Sequence, residues 1–295
     1  MQLLKKFCAS LALLLALTAP ALAEDGVDHY SVGDLDVMVI RDADVSMGPQ
    51  LLPGLEKKAP EFVGVFQHGP VPAVDQTFYF KKAGRQVLVD AGWGKEHKVE
   101  GHTADLLHEN GIAEDDITDI LLTHMDTDHI GGLLDNGRPV YPHATLWISR
   151  PEYAAWVEKG VGEGGVNRSE AAVDLAKKVA AAYTVKRFDY GDEILPGVTA
   201  VDASGHTPGH TAYDIVSGKD KMTIAGDILH IAPVQLARPD LSTVYDMDGE
   251  KAAAARKRLL DRAAQDRALF AGMHFPMVSD VRKIPDNGFV MKQPR

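Results

Sequence analysis

Cysteine is almost absent from this chain. Cys8 is the only cysteine among 295 residues, and it falls in a segment with the pattern of a signal peptide. A mature chain without thiols has no disulfide to stabilise its fold and no thiolate to act as nucleophile or metal ligand. The Gly-x-Ser-x-Gly elbow of many serine hydrolases is also missing. A hydrolytic reaction on this chain would therefore use neither a cysteine thiolate nor a serine of such an elbow as its nucleophile.

Long apolar runs are missing as well, apart from Phe7–Leu17. Two lysines precede this run, and Ala21-Leu-Ala23 follows it as an A-x-A cleavage site. The run is shorter than the roughly 20 apolar residues of a membrane-spanning helix. We therefore predict that residues 1–23 are a cleaved signal peptide and that 24–295 form a single domain. The mature protein is expected in the periplasm or secreted, without a stable membrane anchor.

Basic residues are scarce relative to acidic ones. Without the two N-terminal lysines, 29 Lys and Arg face 42 Asp and Glu, a formal charge near −13. Binding to a nucleic-acid backbone depends on Lys and Arg that neutralise phosphates. The charge balance therefore argues against a nucleic-acid partner. The hydrophobic fraction of 45% is ordinary for a packed globular domain.

Strand-like and helix-like segments occur in clusters in both halves of the chain. Thr77–Lys81 and Gln86–Asp90 predict a hairpin with its turn at Gly84. Further strands are predicted at Val37–Ile40, Val198–Asp202, Tyr213–Val216 and Lys221–Ala225, and helices at His102–Asn110, Ser169–Tyr183, Asp248–Gln265 and after a cap at Ser149. This pattern indicates an α/β fold with two packed sheets and helices outside them. Gly48–Pro72 and Gly160–Asn167 are left as long loops, either functional covers or flexible decoration.

Four potential metal ligands follow the apolar run Ile120–Leu122, which predicts a buried strand. They are His124, Asp126, Asp128 and His129. Imidazole and carboxylate groups bind divalent metals such as zinc, iron and manganese. Ligands just beyond a strand are held in place by the sheet and still reach solvent. The pair Gly131-Gly132 allows the backbone to turn closely around such a site.

This cluster resembles the signature of the metallo-β-lactamase superfamily, which reads His-x-His-x-Asp-His after a buried strand. The later ligands of that family have counterparts in His206, Asp227 and His274, so the resemblance covers most of the mature chain. It implies the αββα sandwich, with the site at one edge of the sheets. Within the superfamily, Gly226–Gln235 resembles the methyl parathion hydrolase group and its aryl-ester and lactone hydrolase relatives. One position departs from the pattern, because Asp126 stands where the family has its second histidine.

The resemblance implies two divalent cations, with zinc as the first expectation. The first cation would be bound by His124, Asp126 and His206, and the second by Asp128, His129 and His274, with Asp227 bridging the two. A carboxylate is a harder donor than imidazole, so iron or manganese is an alternative at the Asp126 site. The shorter Asp126 side chain could also reach the first cation poorly and leave that site weak, or it could hydrogen-bond a histidine ligand without touching the cation. If Asp126 is a ligand, Asp126→His is expected to restore a three-nitrogen site and to raise zinc affinity.

The same resemblance implies hydrolysis by a water molecule that the two cations share and deprotonate near neutral pH. Asp128 would orient this nucleophile or carry a proton to the leaving group. His230 is a second catalytic candidate, which could donate to a substrate oxygen, although a buried structural role is equally compatible with the sequence. His210 is expected to be structural, and Asp90 is expected to support the site from behind.

Several other side chains are candidates for the neighbourhood of the site. Trp93 could line the substrate pocket, and His68 and His97 could approach its mouth. The remaining aromatic candidates have an equal claim to core packing. They are Phe66, Phe78 and Trp147.

The leading hypothesis is an exported metal-dependent hydrolase that acts on a small ester, lactone or organophosphate-like molecule. A β-lactamase and a thioester hydrolase are alternatives on the same site. A redox di-iron protein also places a carboxylate at the Asp126 position, and a metal-binding protein without turnover is the last alternative. The expected partner is a small-molecule substrate, and a homodimer stays open.

Overall fold

The structure is a computed structural model that describes residues 26–285 and 288–294. The predicted signal peptide, residues 1–23, lies outside the described residues. Within the described ranges, no helix has the length and apolar character needed to cross a membrane.

The first half of the chain builds a seven-stranded sheet. Its strands, in spatial order, are β1 (Val27–Val32), β2 (Leu35–Met47), β3 (Val71–Lys82), β4 (Arg85–Val89), β5 (Asp119–Leu121), β8 (Thr145–Ser149) and β9 (Thr184–Phe188), while β6 (Leu134–Asp135) and β7 (Arg138–Pro139) form a separate ribbon. The pairings from β1 to β4 are antiparallel, and those among β4, β5, β8 and β9 are parallel. The predicted hairpin turn is confirmed, because β3 and β4 are joined at Ala83-Gly84.

The second half builds the other seven-stranded sheet. Its strands, in order, are β10 (Glu193–Leu195), β11 (Val198–Asp202), β12 (Thr211–Ser217), β13 (Asp220–Ile224), β14 (Leu269–Ala271), β15 (Ser279–Lys283) and β16 (Phe289–Lys292). Only the pairing of β13 with β14 is parallel. The two sheets are therefore contiguous in sequence, and residues 189–192 connect them.

Helices follow or interrupt the strands in both halves. They are α1 (Leu55–Lys58), α2 (Thr103–Glu109), α3 (Thr127–Ile130), α4 (Arg150–Tyr153), α5 (Glu170–Ala182), α6 (Ala232–Gln235) and α7 (Gly249–Asp266), with a π-helical turn at Ala154–Lys159 and 3₁₀ turns at Pro49–Leu51, Pro60–Phe66, Glu114–Asp116 and Gly131–Leu133. Ser149 caps α4 as predicted, because its hydroxyl accepts from the backbone N–H of Glu152. Ser169 caps α5 in the same way through Ala172.

The two sheets pack face to face with helices on their outer faces. In β2, Val37 and Val39 contribute to the core between the sheets, whereas Met38 and Ile40 contribute to the core under the helices. A strand buried on both faces is apolar throughout, which explains this run of four apolar residues. α2 and α5 cover the first sheet, and α7 covers the second. The predicted αββα sandwich is confirmed.

The prediction that Gly48–Pro72 is a long loop was wrong. This segment contains α1 and two 3₁₀ turns, and β3 already begins at Val71. Its residues Leu51, Leu52 and Leu55 bury their side chains in a small separate core with Ile231 and Val234 from the second half of the chain. The partners are distant in sequence, so no local periodicity indicates this packing.

Candidate metal centre

Strand ends from both sheets bring the candidate ligands to one edge of the sandwich. The 123–129 segment leaves the C-terminal end of β5, which is parallel to β4. Asp227 and His274 follow β13 and β14, the parallel pair of the second sheet, and His206 follows β11. All seven predicted ligands meet in one cluster of side chains.

Asp227 lies at the centre of this cluster. Its Oδ1 atom is 3.2 Å from Nε2 of His129, and its Oδ2 atom is 2.9 Å from Nε2 of His274. On the other side, Oδ2 lies 3.4 Å from Nε2 of His206 and 3.8 Å from Nε2 of His124. A single carboxylate thus faces histidines of both predicted sites, as a bridging ligand would.

The remaining ligands divide into two groups around Asp227. The first group is His124, Asp126 and His206, and the second group is Asp128, His129 and His274. In the first group, Oδ2 of Asp126 is 3.2 Å from Nε2 of His206 and 3.4 Å from Nε2 of His124. In the second, Oδ2 of Asp128 is 3.5 Å from Nε2 of His129 and 3.6 Å from Nε2 of His274. The geometry divides the residues as the resemblance implied.

A different buried aspartate lies behind each of three ligand histidines. The Nδ1 atoms of His129, His206 and His274 are, respectively, 2.7 Å from Asp90, 3.1 Å from Asp246 and 2.7 Å from Asp75. At His129 and His206 the carboxylate accepts from Nδ1, which keeps the proton on that nitrogen and leaves Nε2 as the lone-pair donor. The predicted supporting position of Asp90 agrees with this arrangement, and its carboxylate also accepts from the backbone N–H and the hydroxyl of Thr123.

Buried atoms without a hydrogen-bond partner test whether these residues fit a cation. Among the described residues, Nε2 of His124, Nε2 of His129 and Oδ1 of Asp227 are buried and have no such partner. Leaving a buried polar atom unpaired costs about 1–3 kcal/mol, and these three atoms all belong to the cluster around Asp227. Lone pairs of nitrogen and carboxylate oxygen are what a divalent cation takes from a protein. The residues therefore fit the metals that the sequence pattern implies.

Charges within the cluster shift its pKa values in opposite directions. Burial alone would raise the pKa of Asp227, but His274, His129 and His124 outweigh it and hold that pKa well below its usual range. Burial alone would lower the pKa of His206, but Asp126 and Asp246 raise it to about 9. The carboxylates of Asp126, Asp128 and Asp227 thus stay ionised, in the form that binds metal, whereas His206 must release a proton from Nε2 to bind it.

Two further histidines lie beside the ligands. Nε2 of His230 is 3.3 Å from Oδ2 of Asp227, and burial lowers the pKa of His230 to about 4. The His230 ring stacks on the ring of His274 at 4.9 Å. His210 accepts at Nε2 from the backbone N–H of Asp227 and lies 3.0 Å through Nδ1 from the carbonyl of Ala203. His210 therefore holds the backbone beneath Asp227, in line with its predicted structural role.

The cluster forms the floor of a cleft of about 380 Å³. Apolar atoms of its walls come from Val45, Met47, Trp93, Ala172 and Tyr245. The predicted place of Trp93 is thus in agreement with the structure, and its indole N–H donates to Asp75 at 2.5 Å. His68 and His97 are not among the residues that line this cleft in the described part of the chain. Phe78 is fully buried in the core, and Phe66 and Trp147 pack against cores.

Comparison with known protein families adds the deciding observation. Residues 71–274 match the model of the metallo-β-lactamase superfamily. The chain belongs to this superfamily. The matched range begins at β3 and ends at His274, so it includes every residue of both ligand groups. No curated protein sequence gives a significant match to the chain.

Solved structures of the superfamily share the fold over almost the whole chain. The hydrolase AbOPH is 23% identical with a TM-score of 0.82, and the alignment covers 92% of this chain and 98% of that one. The dizinc quorum-quenching lactonase AidC, in complex with an N-hexanoyl-L-homoserine product, is 23% identical with a TM-score of 0.81 and the same coverage. A probable metal-dependent hydrolase from Staphylococcus aureus is 20% identical, with a TM-score of 0.73 and coverages of 90% and 100%.

The departure from the superfamily pattern at Asp126 has a partner that the sequence does not indicate. Arg168, from the irregular segment before α5, donates to both carboxylate oxygens of Asp126 at 2.7 Å each. Asp126 also faces the two histidines of its group, so it lies inside the cluster rather than behind it. No motif or spacing links residues 126 and 168, and this contact is visible only in the folded chain.

Sequence reasoning also missed a carboxylate that joins two ligand-bearing loops. Glu152 is fully buried, and it accepts from the backbone N–H of Met125 at 3.1 Å and of Gly209 at 2.7 Å, and from the hydroxyl of Thr207 at 2.8 Å. The Ser149-x-x-Glu152 spacing is typical of a capping box, in which the glutamate bonds back to the cap. Here the serine caps the helix, but Glu152 reaches into the loops beside the centre instead.

Proposed function

We propose that this chain is an exported metal-dependent hydrolase of a small, neutral ester, lactone or organophosphate-like substrate. The observation that carries the proposal is the pair of His and Asp groups that share Asp227 at the floor of a cleft. When bound, two divalent cations supply Lewis acidity and lower the pKa of a water molecule toward neutrality. Zinc suits the imidazole-rich donor set, and iron or manganese is the alternative beside Asp126.

We assign roles in this reaction to two residues that line the cleft, proton transfer to Asp128 and a hydrogen bond to the substrate to His230. The carboxylate of Asp128 lines the cleft and is partly exposed, so its free oxygen can accept a proton from water and pass it to a leaving group. His230 is neutral over the physiological range because burial lowers its pKa. A neutral imidazole donates from one nitrogen only, which suits a hydrogen bond to a substrate oxygen without an added positive charge.

The side chains around the proposed cations favour a substrate without a charged carboxylate. Asp75, Asp126, Asp128 and Asp227 line it, and Arg168 is the only Lys or Arg among its described lining residues. Arg168 is already engaged by Asp126 and by the carbonyl of Tyr245. Among the described lining residues, a carboxylate-bearing β-lactam would therefore find no free Lys or Arg side chain to bind its carboxylate, whereas the apolar walls suit an acyl or aryl group. The lactonase AidC offers an analogy at the level of fold.

Export forms part of this proposal because of the N-terminal pattern. The lysines, the apolar run and Ala21-Leu-Ala23 place cleavage before Glu24. Intact-mass measurement of protein recovered from the periplasm should give an N-terminus at Glu24 or within a few residues of it. A cytosolic chain that keeps Met1 would overturn the export proposal without touching the enzymatic one.

A metal and substrate panel tests the activity. The purified mature protein should contain about two divalent cations per chain by elemental analysis, and should hydrolyse members of a panel of lactones, aryl esters and phosphotriesters. Asp227→Ala should lose both metal and turnover, and His97→Ala should lose neither. Turnover confined to β-lactams or thioesters would contradict the proposed substrate class and favour one of those alternatives. Metal without any turnover would favour a binding protein, and flavin absorbance would favour a redox protein.

A further inference from the structure

Arg168 binds Asp126 with both arms of its guanidinium. Nε donates to Oδ1 and Nη2 donates to Oδ2, both at 2.7 Å. Both side chains are largely shielded from solvent, with 18% of Arg168 and 13% of Asp126 exposed. This two-point geometry fixes the plane of a carboxylate as well as its position, which a single contact does not. Asp126 therefore has one defined orientation toward its group.

That orientation gives the two oxygens of Asp126 different surroundings. Oδ2, which also accepts from Nη2 of Arg168, faces His206 at 3.2 Å and His124 at 3.4 Å, where the first cation would lie. Oδ1 faces the Nε atom of Arg168. A carboxylate held in this way offers a cation one oxygen rather than two. An imidazole, which the superfamily has at this position, also offers one atom.

The pair also matches the charge of the residue that it replaces. A histidine that binds metal through one nitrogen is neutral, whereas Asp126 carries a negative charge. Arg168 stays protonated in proteins, so its positive charge offsets that of the carboxylate. Guanidinium and carboxylate together contribute no net charge to the first group.

Arg168 is itself held by backbone on two sides. Its Nη2 atom donates to the carbonyl of Tyr245 at 3.0 Å, and its Nη1 atom donates to the carbonyl of Asn167 at 3.3 Å. The next residue, Ser169, is the cap at the start of α5. Two backbone carbonyls, one just before α5 and one in the 243–246 loop, therefore also hold the guanidinium that binds Asp126.

From these contacts we propose that Arg168 is a positioning residue that acts as one unit with Asp126. Together they take the place of the superfamily's second histidine, with one oxygen toward the first cation and no added charge. The inference rests on the proposed metal centre but on no particular substrate. It changes the expectation for Asp126→His, because that substitution alone leaves the Arg168 cation without its partner beside the metal.

A double-mutant cycle on metal binding tests the proposal without any substrate. Asp126→His is made in the wild type and in Arg168→Met, and zinc affinity is measured by competition with a chelating indicator. In the wild-type background, Asp126→His should weaken the first site. In Arg168→Met it should strengthen that site, so the effect of Asp126→His should differ between backgrounds by about tenfold or more. Equal effects in both backgrounds, within about twofold, would overturn the proposal.

Controls separate this outcome from misfolding and from failure of the metal centre itself. Arg150 pairs with Asp189 on the surface, and Arg150→Met should leave the effect of Asp126→His unchanged. Arg168→Gln repeats the cycle if Arg168→Met lowers the melting temperature, and circular dichroism reports folding in each case. A wild-type chain that binds no divalent cation would overturn both this inference and the proposed function. Two bound cations with an additive cycle would overturn only the inference.

Discussion

His129 is held by Asp90, a fully buried carboxylate that is not among the residues lining the cleft. Asp90 accepts from Nδ1 of His129 and from Thr123, which positions the segment that carries the ligands. The backbone of Asp90 has a φ of 54°, a left-handed conformation in which Asn and Asp are tolerated better than most residues. Substitution by Asn therefore changes the charge and hydrogen bonding behind His129 without adding backbone strain.

We expect Asp90→Asn to weaken metal binding by roughly 10–100-fold, the usual effect of removing an outer partner of a ligand histidine. The physical reason is that the Asn side chain no longer holds the proton on Nδ1 by charge. Chelator competition measures the affinity directly. Asp44→Asn, at an exposed ion pair with Arg41, is the control and should bind metal as the wild type does. An unchanged metal affinity in Asp90→Asn would show that Asp90 does not support the metal centre.

Glu152 predicts a pH dependence of stability. Burial raises its pKa from 4.5 to about 7, in spite of three hydrogen bonds that favour the carboxylate. Between these two values the folded chain keeps a proton that the unfolded chain has lost. The free energy of unfolding therefore falls by roughly 3 kcal/mol in total as the pH rises through this window, and it levels off above it.

Urea unfolding of wild type and Glu152→Gln at pH 5 and pH 8 isolates this contribution, because residue 152 of the variant does not titrate. The prediction would be contradicted if wild type and Glu152→Gln differed in free energy of unfolding by the same amount at both pH values.

At the scale of elements, close packing of α3 depends on two glycines. The turn Gly131–Leu133 lies against the segment after β4, and the N–H of Gly132 donates to the carbonyl of Gly92 at 2.9 Å. A Cβ atom on Gly131 would lie 2.1 Å from the carbonyl oxygen of Trp93, and a Cβ atom on Gly132 would lie 2.1 Å from the carbonyl oxygen of Ala91. Both of these oxygens belong to the backbone, so the backbone itself would have to move.

We therefore expect Gly132→Ala to lower the free energy of unfolding by roughly 2–4 kcal/mol, in the range of severe packing substitutions. Metal affinity should fall with it, because α3 carries Asp128 and His129. Gly64→Ala is the matched control, since its Cβ would meet no atom within 4 Å. Chemical denaturation of the two variants gives the comparison. A similar free energy of unfolding for the two variants would show that the backbone around Gly132 adjusts to the added methyl group without loss of stability.

The elements that could be predicted from the sequence are those with a local signal. Alternation and a Gly-containing turn mark the hairpin of β3 and β4, and Ala-rich periodicity marks α5 and α7. The last two strands of the second sheet, β15 and β16, are short and partly polar, and β15 joins the sheet by pairing with β14, a tertiary contact. The small core formed by Gly48–Pro72 could not be predicted for the same reason, because it packs against residues far along the chain.

The same distinction applies to the centre. The ligands fall in short motifs that follow strands, so their spacing alone indicates a metal site. Arg168 and Asp246 meet their partners across 42 and 40 residues of sequence, with no pattern that marks them. The neutral combination with Arg168 could not be predicted, because it depends on where α5 begins in three dimensions.

For the whole molecule, the candidate centre lies between the two sheets. Each ligand group takes two residues from the first half of the chain and one from the second, and Asp227 adds another from the second half. A bound cation would therefore hold both sheets together. Zinc at about 100 times its dissociation constant should stabilise the folded chain by about 2.7 kcal/mol.

Removal of metal by a chelator should accordingly lower the melting temperature, and added zinc should restore it. Differential scanning calorimetry of the wild type measures the change, and Asp227→Ala should respond much less to either treatment. An identical melting temperature with and without chelator, at a verified loss of metal, would show that the cations contribute nothing to folding stability.

The contiguity of each sheet in sequence has a consequence for how this chain could be divided. A cut in the exposed connection at 189–192 would produce two fragments, each carrying one complete sheet and an incomplete set of ligands. Neither fragment alone would carry a complete ligand group. Co-expressed fragments should then associate more tightly when zinc is supplied, because a bound cation adds to the apolar core that the two sheets share.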